Sequence, residues 1–407
     1  FYVNLHPMKY VDAILPLPLE GVFTYAVPDK WEARVQAGIR VLVPLGGKKT
    51  YTALVTTVYD QCPERVNREG KAVDIKSIQG IMDSNPILLP AQLKLWQWMG
   101  DYYLSPLGDI FKAALPAGLK AEEGYRPKTE TCIRLTERFG NEQAMHIALD
   151  MLGRAPAQKK VLETFLQLYF DAPERSITRE ELTNESHATA AHVKAVVDRG
   201  ILETYEREVG RLGSGGEPHP EVIKPLSDAQ ATAYNRIQMQ FFRHNVVLLH
   251  GVTSSGKTEI YIHMIQKALD EGHQVLYLLP EIALTVQIMQ RLRRVFGDRL
   301  GIYHSKYSDA ERVEIWQKQL SNHPYDIILG ARSAVFLPFR RLSLVIVDEE
   351  HETSFKQQDP APRYHARSVA IVMAQMAGAK TLLGTATPSM ESYFNAQSGK
   401  YGMVALR

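Results

Sequence analysis

The spacing of apolar and polar positions changes character along the chain. The first part shows short apolar or alternating runs separated by Pro and Gly, at residues 10–17, 22–27, 41–45 and 51–59, which is typical of β-strands. Residues 90–114 then carry apolar side chains at helical spacing, and we expect their aromatic stripe to be mainly core. The pattern predicts a small β-rich module followed by a helical stretch.

Three short helix candidates follow, at residues 158–170, from Thr178 onward, and at residues 188–199. Thr178 and Glu181 match the S/T-x-x-E capping box. With the extended run at 201–209 they indicate a winged helix. Winged helices often bind DNA, but this one has a thin basic face, so a spacer or protein-docking role stays equally open.

Residues 210–225 are rich in Gly and Pro without periodicity, which indicates a flexible domain boundary. Beyond it, short apolar strands alternate with amphipathic helices. This alternation favours an α/β domain with a parallel sheet covered on both faces. The predicted strands are 246–250, 274–279, 326–329, 344–347 and 381–383.

Composition narrows the class of protein. Of 407 residues 45% are hydrophobic, which excludes wholesale disorder, and 47 basic against 45 acidic residues restrict any polyanion binding to local patches. Two cysteines, Cys62 and Cys132, are too few for a disulfide framework or a four-thiolate zinc site and favour a reducing setting. No apolar run is long enough for a membrane span, and no export signal is apparent. Because the chain opens on Phe1 and stops at Arg407 in mid-pattern, we expect it to be part of something longer.

The strand at 246–250 runs directly into a G-x-x-x-x-G-K-T sequence. Backbone N–H groups of such a loop surround a β-phosphate, its lysine reaches the β/γ oxygens and its hydroxyl faces Mg²⁺. A Gly-rich turn that caps a helix is the alternative. The residues predicted to bind nucleotide are Gly251, Val252, Thr253, Ser254, Ser255, Gly256, Lys257 and Thr258.

A second element supports the nucleotide interpretation. The apolar strand at 344–347 ends in Asp348 and Glu349, where a P-loop ATPase places a Mg²⁺-binding Asp and a Glu that polarises the attacking water. An acidic N-cap of an ordinary helix is the alternative. Together, Lys257, Asp348 and Glu349 predict ATP binding and hydrolysis, with Thr258 and Asp348 near Mg²⁺.

Three weaker signals lie in the same part of the chain. Gln230 precedes the first strand and could read adenine, although a lone Gln is usually a surface residue. Hydroxyls after the strand at 381–383 could sense the γ-phosphate through neighbouring groups, or form a simple turn. The loop at 355–367 mixes aromatic and basic residues, as in single-strand contacts, or is a plain surface loop. The predicted coupling residues are Glu350, His351, Thr385 and Thr387.

The motifs together resemble superfamily 2 DNA helicases and, among them, the bacterial replication restart DNA helicases of the PriA (primosomal protein N′) family. The helicase motifs are carried by GVTSSGKTEIY, LLPEIALTVQ, YHSKYSDAER, GARSAVFLPF, DEEHETSFKQQ, RYHARSVA and GTATPSMES. ILPLPLEGVFTYAVP, VLVPLGGKK and DYYLSPLGDIFKAALP resemble that family's domain for DNA 3′ ends.

The resemblance implies a multidomain α/β architecture. We expect a β-rich 3′-end-binding domain at 9–118, a winged helix at 129–210, a linker at 211–225 and the first RecA-like P-loop lobe at 226–407. The second lobe and a zinc module would be absent. The implied cofactors are ATP and Mg²⁺, with Zn²⁺ only in the missing part.

The resemblance also implies DNA contacts in two places, one at 3′ ends and one in the aromatic loop. Thr24 stands where the family carries an acidic residue, which removes a direct carboxylate contact to a 3′-OH. Ala331 replaces the usual Thr before Arg332, which removes one phosphate hydrogen bond. The implied DNA-binding residues are Phe23, Thr24, Tyr25, Gly46, Lys76, Arg332, Phe355, Lys356, Arg363, Tyr364, His365 and Arg367.

The function so implied is an ATP-dependent 3′-to-5′ DNA helicase that recognises stalled or abandoned replication forks and initiates restart by primosome assembly. The alternatives are a nucleotide-regulated fork-binding scaffold and another superfamily 2 DNA translocase. Expected partners are branched and single-stranded DNA, single-strand binding protein and other restart or helicase-loading proteins, with no membrane. The expected location is cytoplasmic and nucleoid-associated, and this chain alone is expected to hydrolyse little ATP, since arginines of a second lobe complete such sites.

Overall fold

The computed structural model describes residues 9–46, 49–63, 75–121, 129–139, 142–171, 176–208, 221–252, 255–304 and 307–406. The chain divides into two compact units. One unit joins Phe1–Tyr125 to Leu212–Arg407, and the other is Arg126–Arg211. None of the helices in these described ranges is long and apolar enough to cross a membrane.

The described N-terminal residues form an antiparallel sheet of five strands in the order β2-β1-β4-β3-β5. Alternate positions such as Val11, Ala13, Val41 and Val43 face a common core and are fully buried, as the β-branched alternation predicts. The elements are β1 (Tyr10–Ile14), β2 (Phe23–Ala26), the short α1 (Asp29–Glu32), β3 (Arg40–Leu45), β4 (Lys49–Tyr59) and β5 (Gly80–Ile81).

The helical stretch predicted at 90–114 is two helices, α2 (Pro90–Tyr103) and α3 (Leu107–Ala114). The break occurs because Leu104 adopts a left-handed conformation with φ 48° and Pro106 follows it. The aromatic stripe is only partly core. Trp96 is fully buried, whereas Tyr102 is 62% exposed.

The second unit has a small antiparallel sheet, order β7-β6-β8 in the described residues, packed with helices around a core of its own. The three predicted helices are confirmed, and the Thr178 hydroxyl accepts a hydrogen bond from the Glu181 N–H at 3.1 Å. The pattern did not reveal β6 or α4. The elements are β6 (Thr129–Leu135), α4 (Glu142–Met151), α5 (Pro156–Asp171), β7 (Ile177–Thr178), α6 (Arg179–Glu185), α7 (Ala190–Asp198) and β8 (Leu202–Glu208).

The C-terminal part forms a parallel sheet with described strand order β11-β12-β10-β13-β14-β9-β15. Its central strands are buried on both faces, which explains their continuous apolar runs. The elements are α8 (Asp228–Phe241), β9 (Val246–Gly251), α9 (Lys257–Asp270), β10 (Gln274–Leu278), α10 (Val286–Phe296), β11 (Leu300–Tyr303), α11 (Asp309–Leu320), β12 (Ile327–Gly330), β13 (Leu342–Asp348), α12 (Ala366–Ala377), β14 (Lys380–Thr385), α13 (Met390–Gln397) and β15 (Gly402–Leu406).

Within the larger unit the N-terminal helices pack on the parallel-sheet domain and share an apolar cluster with it. Two buried side chains fix the contact by hydrogen bonds to main-chain carbonyls. The Gln92 amide donates to the Phe336 carbonyl at 2.7 Å, and the Trp316 indole donates to the Ile87 carbonyl at 2.8 Å. The contact therefore positions α2 against the domain that carries the predicted nucleotide site.

Candidate nucleotide site and DNA-contact loop

The phosphate-loop sequence lies between β9 and α9, as its spacing predicts. Gly256 has φ 84°, which favours glycine, and a Cβ there would lie 2.2 Å from the Gln230 amide nitrogen. The Lys257 ammonium is buried and donates to the carbonyls of Gly251 at 2.9 Å and Val252 at 3.3 Å. Lys257 is thus held inside the loop that would receive phosphates.

The structure describes some of the other predicted loop residues and not others. Ser255 and Thr258 line the same cavity as Lys257, and Thr258 is the second residue of α9. Thr253 and Ser254 lie outside the described residues.

Asp348 ends β13 at the carboxyl edge of the sheet and is held by two buried tyrosines. The Tyr261 hydroxyl donates to Oδ1 at 2.9 Å and the Tyr277 hydroxyl to Oδ2 at 3.4 Å. Burial raises the pKa of Asp348 to about 6, while the Tyr261 hydrogen bond and the Lys257 charge act in the opposite direction. A carboxylate fixed in this way is a suitable ligand for a hard cation such as Mg²⁺.

Glu349 follows in a left-handed conformation, with φ 49°. A non-glycine residue in this region costs on the order of 1–3 kcal/mol, so the surrounding structure must hold it there. The side chain lines a cavity of about 640 Å³ together with Lys257, Thr258 and Asp348. A lysine, a helix N-terminus and a carboxylate around one cavity fit a nucleotide polyphosphate with Mg²⁺.

Gln230 lies beside the phosphate loop, where its amide makes two hydrogen bonds. Its Oε1 accepts from the Ser227 N–H at 2.9 Å and its Nε2 donates to the Gly256 carbonyl at 3.1 Å. Gln230 thus links the start of α8 to the loop. Because an amide has two N–H groups and two acceptor lone pairs, the adenine contact stays a prediction.

Several residues of this site carry no predicted role in the sequence. Within residues 221–225, predicted as the end of a linker, the Glu221 N–H donates to the Arg294 carbonyl of α10 at 2.6 Å. Ile223 and Lys224 line the cavity, and no sequence signal marked them. Tyr261, by contrast, lies four residues after Lys257 and hence on the same helix face, so its position could have been inferred.

The predicted coupling residues form two groups. His351 Nδ1 lies 2.8 Å from the Thr385 hydroxyl, which also accepts from the Thr387 N–H at 3.0 Å. Glu350 instead is fully buried. It accepts from the Arg367 guanidinium at 2.6 Å, the Ser389 N–H at 2.7 Å and the Ser392 hydroxyl at 2.8 Å.

Three of the predicted DNA-binding residues in the aromatic loop are buried in this structure. Phe355 and Tyr364 are 0% and 1% exposed, and Arg367 is 8% exposed in its pair with Glu350. Buried rings cannot stack on bases, and a guanidinium neutralised by Glu350 is a poor phosphate ligand. In this conformation these side chains hold the loop in place.

The remaining predicted residues of this loop are accessible to different extents. Arg363 is exposed and pairs with Asp359 at 2.8 Å, while Lys356 and His365 are partly exposed. Burial lowers the pKa of His365 to about 4, with further lowering by nearby Arg and Lys charges. The Arg332 guanidinium donates to the carbonyls of Ser354 and Lys356 at 3.2 Å each, which supports the base of the loop.

The predicted 3′-end residues lie on or beside β2 and β3. Phe23 and Thr24 are partly exposed, whereas Tyr25 is buried and donates to the Pro44 carbonyl at 3.2 Å. The Lys76 ammonium donates to the Gly46 carbonyl at 3.0 Å. The Tyr25 and Lys76 bonds thus both reach the end of β3, at Pro44 and at the following Gly46.

Asp12 places a carboxylate beside Thr24. It is the cross-strand partner of Thr24 in the β1–β2 pair. The Thr24 hydroxyl donates to Asp12 Oδ1 at 2.5 Å, and the Tyr59 hydroxyl donates to Oδ2 at 2.9 Å. A carboxylate is thus present directly behind the Thr24 hydroxyl.

The parallel sheet, the phosphate loop and the strand that ends in Asp348 define a P-loop helicase domain. A DEAD/DEAH box helicase model matches residues 227–395. A 3′ DNA-binding domain model of PriA matches residues 12–116, and a model for the winged helix domain of PriA helicase from Bacteroidota matches residues 130–209.

Three curated relatives match 98% of this chain, each under the name Replication restart protein PriA. Identity is 36% with the Haemophilus influenzae protein, 34% with that of Chlamydia pneumoniae and 30% with that of Bacillus subtilis. The chain covers 52%, 51% and 56% of their respective lengths, so it spans about half of the relatives that it matches. Over nearly its whole length the chain is therefore similar to proteins named Replication restart protein PriA, and its first two segments match domain models of PriA.

Two solved structures match less than half of this chain. The DUF1998 helicase MrfA bound to DNA is 18% identical, with a TM-score of 0.32, over 44% of this chain and 27% of that one. The SWI2/SNF2 ATPase core of Sulfolobus solfataricus in complex with dsDNA is 17% identical, with a TM-score of 0.29, over 42% and 34%.

Proposed function

We propose that this chain is the fork-recognising and ATP-binding part of an ATP-dependent 3′-to-5′ DNA helicase that restarts replication at stalled or abandoned forks. The observation that carries the proposal is the placement of Lys257, Asp348 and Glu349 around one cavity, in a chain whose first segment matches a 3′ DNA-binding domain. A family whose curated members are named replication restart proteins supports the biological context.

Lys257 would neutralise the β/γ oxygens of ATP, and the N-terminus of α9 would add positive potential. Thr258 and Asp348 would hold Mg²⁺, which neutralises charge on the transferring phosphoryl group. Glu349 would orient the attacking water. His351 and Glu350 would then pass the state of this site to the segment at 385–392 through their hydrogen bonds.

At the N-terminal sheet, the Thr24 hydroxyl would receive the 3′-OH of a nascent strand. Thr24 is partly exposed, and its hydroxyl is oriented by the hydrogen bond that it donates to Asp12 Oδ1 on the neighbouring strand. Forks whose leading-strand 3′ end is hydroxyl should bind more tightly than forks ending in phosphate, since a phosphate would place like charge near Asp12. Equal affinity for the two ends would contradict this assignment.

Lys257→Ala in the full-length protein tests the motor function. DNA-stimulated phosphate release should be lost, because no other side chain on this helix replaces the charge inside the loop, while fork affinity should stay nearly unchanged. Lys267→Ala is the matched control, since Lys267 lies exposed on the same helix. Equal loss of hydrolysis and fork binding in a folded Lys257→Ala protein would contradict the proposal.

The second candidate is a fork-binding scaffold in which nucleotide only regulates affinity. Phosphate release from the wild-type full-length protein would then stay at background with every DNA. We further propose branched and single-stranded DNA, single-strand binding protein and helicase-loading proteins as partners, a cytoplasmic, nucleoid-associated location, and a zinc module in the part of the relatives that this chain does not cover.

A further inference from the structure

Tyr103, the last residue of α2, touches the base of the aromatic loop. Its hydroxyl accepts a hydrogen bond from the His365 main-chain N–H at 3.1 Å, and the Lys356 ammonium lies 5.7 Å from the centre of its ring. Burial raises the pKa of the Tyr103 phenol, so it stays neutral at physiological pH. The contact joins a segment matched by the 3′ DNA-binding model to the helicase domain.

The loop at this point is a closed hairpin. Lys356 and His365 form an isolated antiparallel bridge, and the Gln357 N–H donates to the Tyr364 carbonyl at 2.9 Å. The Gln357 side chain also donates across the loop, to the carbonyl of Pro362 at 2.9 Å. Movement of the hairpin base would therefore carry its exposed tip with it.

On its other side the hairpin leads to the nucleotide site. Arg367 comes two residues after His365 and donates to the buried Glu350 carboxylate at 2.6 Å. Glu350 follows directly after Asp348 and Glu349. The hairpin base thus lies between Tyr103 and the strand end that carries the catalytic carboxylates.

The position of Tyr103 is fixed by its helix, because Gln92 of the same helix donates a hydrogen bond to the Phe336 carbonyl of the helicase domain. A displacement of the N-terminal domain can therefore reach the hairpin through helix α2, which is continuous up to Tyr103. Coupling of this kind requires an element whose arrangement both sites bias, and the hairpin base contacts Tyr103 on one side and leads to Arg367 on the other.

We infer that Tyr103 is a positioning residue that couples occupation of the N-terminal domain by a DNA 3′ end to the hairpin at 356–365, and through Arg367 to ATP hydrolysis. The inference rests on the proposed function. It assigns to Tyr103 no contact with substrate. Its effect is to set the hairpin's position when a fork with a 3′ end at the branch is bound.

Tyr103→Phe in the full-length protein removes only the hydroxyl. Stimulation of ATP hydrolysis by a fork with a 3′-OH end, relative to stimulation by single-stranded DNA, should fall roughly two- to tenfold, the range expected for one hydrogen bond. Fork affinity and hydrolysis without DNA should not change. Tyr102→Phe is the control, because the adjacent Tyr102 is 62% exposed.

A structural readout separates the possible outcomes. Amide hydrogen exchange of the peptide that contains His365 should change when the wild-type protein binds the 3′-OH fork, and should be faster in Tyr103→Phe even without DNA. Unchanged exchange in the wild type, or a stimulation ratio in Tyr103→Phe equal to that of Tyr102→Phe, overturns the inference. Absence of any DNA stimulation in the wild type would instead overturn the proposed motor function.

Discussion

Replacing Arg367 by alanine tests whether this arginine holds the aromatic loop or contacts DNA. Its side chain is 10% exposed and its partner Glu350 is fully buried, with 2.6 Å between Nη1 and Oε2. Removing one member of a buried pair leaves an uncompensated charge and typically costs about 3–5 kcal/mol. We expect Arg367→Ala to lower the free energy of unfolding of the larger unit by this amount. Urea denaturation monitored by tryptophan fluorescence measures the change.

Arg363→Ala is the matched control within the same loop. Arg363 also pairs with a carboxylate, that of Asp359 at 2.8 Å, but its side chain is 67% exposed and that of Asp359 77%. Such a surface pair contributes about 0–1 kcal/mol. If the two variants lost the same stability within about 1 kcal/mol, the structural role that we assign to Arg367 would be refuted.

DNA binding gives an independent readout for Arg367. The logarithm of the binding constant falls linearly with the logarithm of the salt concentration. Loss of one phosphate contact on a single strand lowers the magnitude of that slope by about 0.7. We expect no change of slope for Arg367→Ala, measured for single-stranded DNA under conditions where the protein is folded. A slope of smaller magnitude for Arg367→Ala would instead show that Arg367 contacts a DNA phosphate, as the composition of the loop predicts.

Three further outcomes are expected. Tyr261→Phe should raise the Mg²⁺ concentration for half-maximal hydrolysis about tenfold, because the Asp348 carboxylate loses an orienting bond; a Mg²⁺ titration that overlays the wild type would contradict this. Trp316→Phe should cost about 1–3 kcal/mol in urea denaturation, since the buried Ile87 carbonyl loses its donor, and a loss below 0.5 kcal/mol, roughly the size of a surface effect, would argue against it. The pKa of His365 is lowered to about 4 when folded, so its contribution to stability is complete above about pH 6.5 and is lost as pH falls toward 4; His365→Gln should flatten that part of the pH–stability curve, and an unchanged curve would contradict the assignment.

Most of the fold could be predicted from the sequence because the local periodicity of apolar residues indicates strands and helices. The continuous apolar runs of β10 and β13 required cover on both faces, and the parallel sheet supplies it. The P-loop and Asp348 were also predictable, because a strand followed by a phosphate loop brings both to one sheet edge. Periodicity alone could not show the break at Leu104, where φ is 48°.

The environment of the loop residues could not be predicted in the same way. Composition suggested that Phe355, Tyr364 and Arg367 meet DNA, whereas burial assigns them to the loop's own support. Their partners come from distant segments, for example Glu350 for Arg367, and no spacing rule reveals such pairs. The same limit applies to the Gln230 amide, which donates to the Gly256 carbonyl 26 residues away in the chain.

The smaller unit is inserted within the larger one, which has a consequence for the order in which the protein folds. Its first and last strands are paired, with Thr129 opposite Glu208, so the chain enters and leaves the insertion side by side. Once folded, the insertion therefore holds its own two ends together. If it were unfolded, bringing those ends together would cost about 2 kcal/mol more entropic free energy than closing a ten-residue loop. Early folding of the insertion would thus help the two halves of the larger unit to meet.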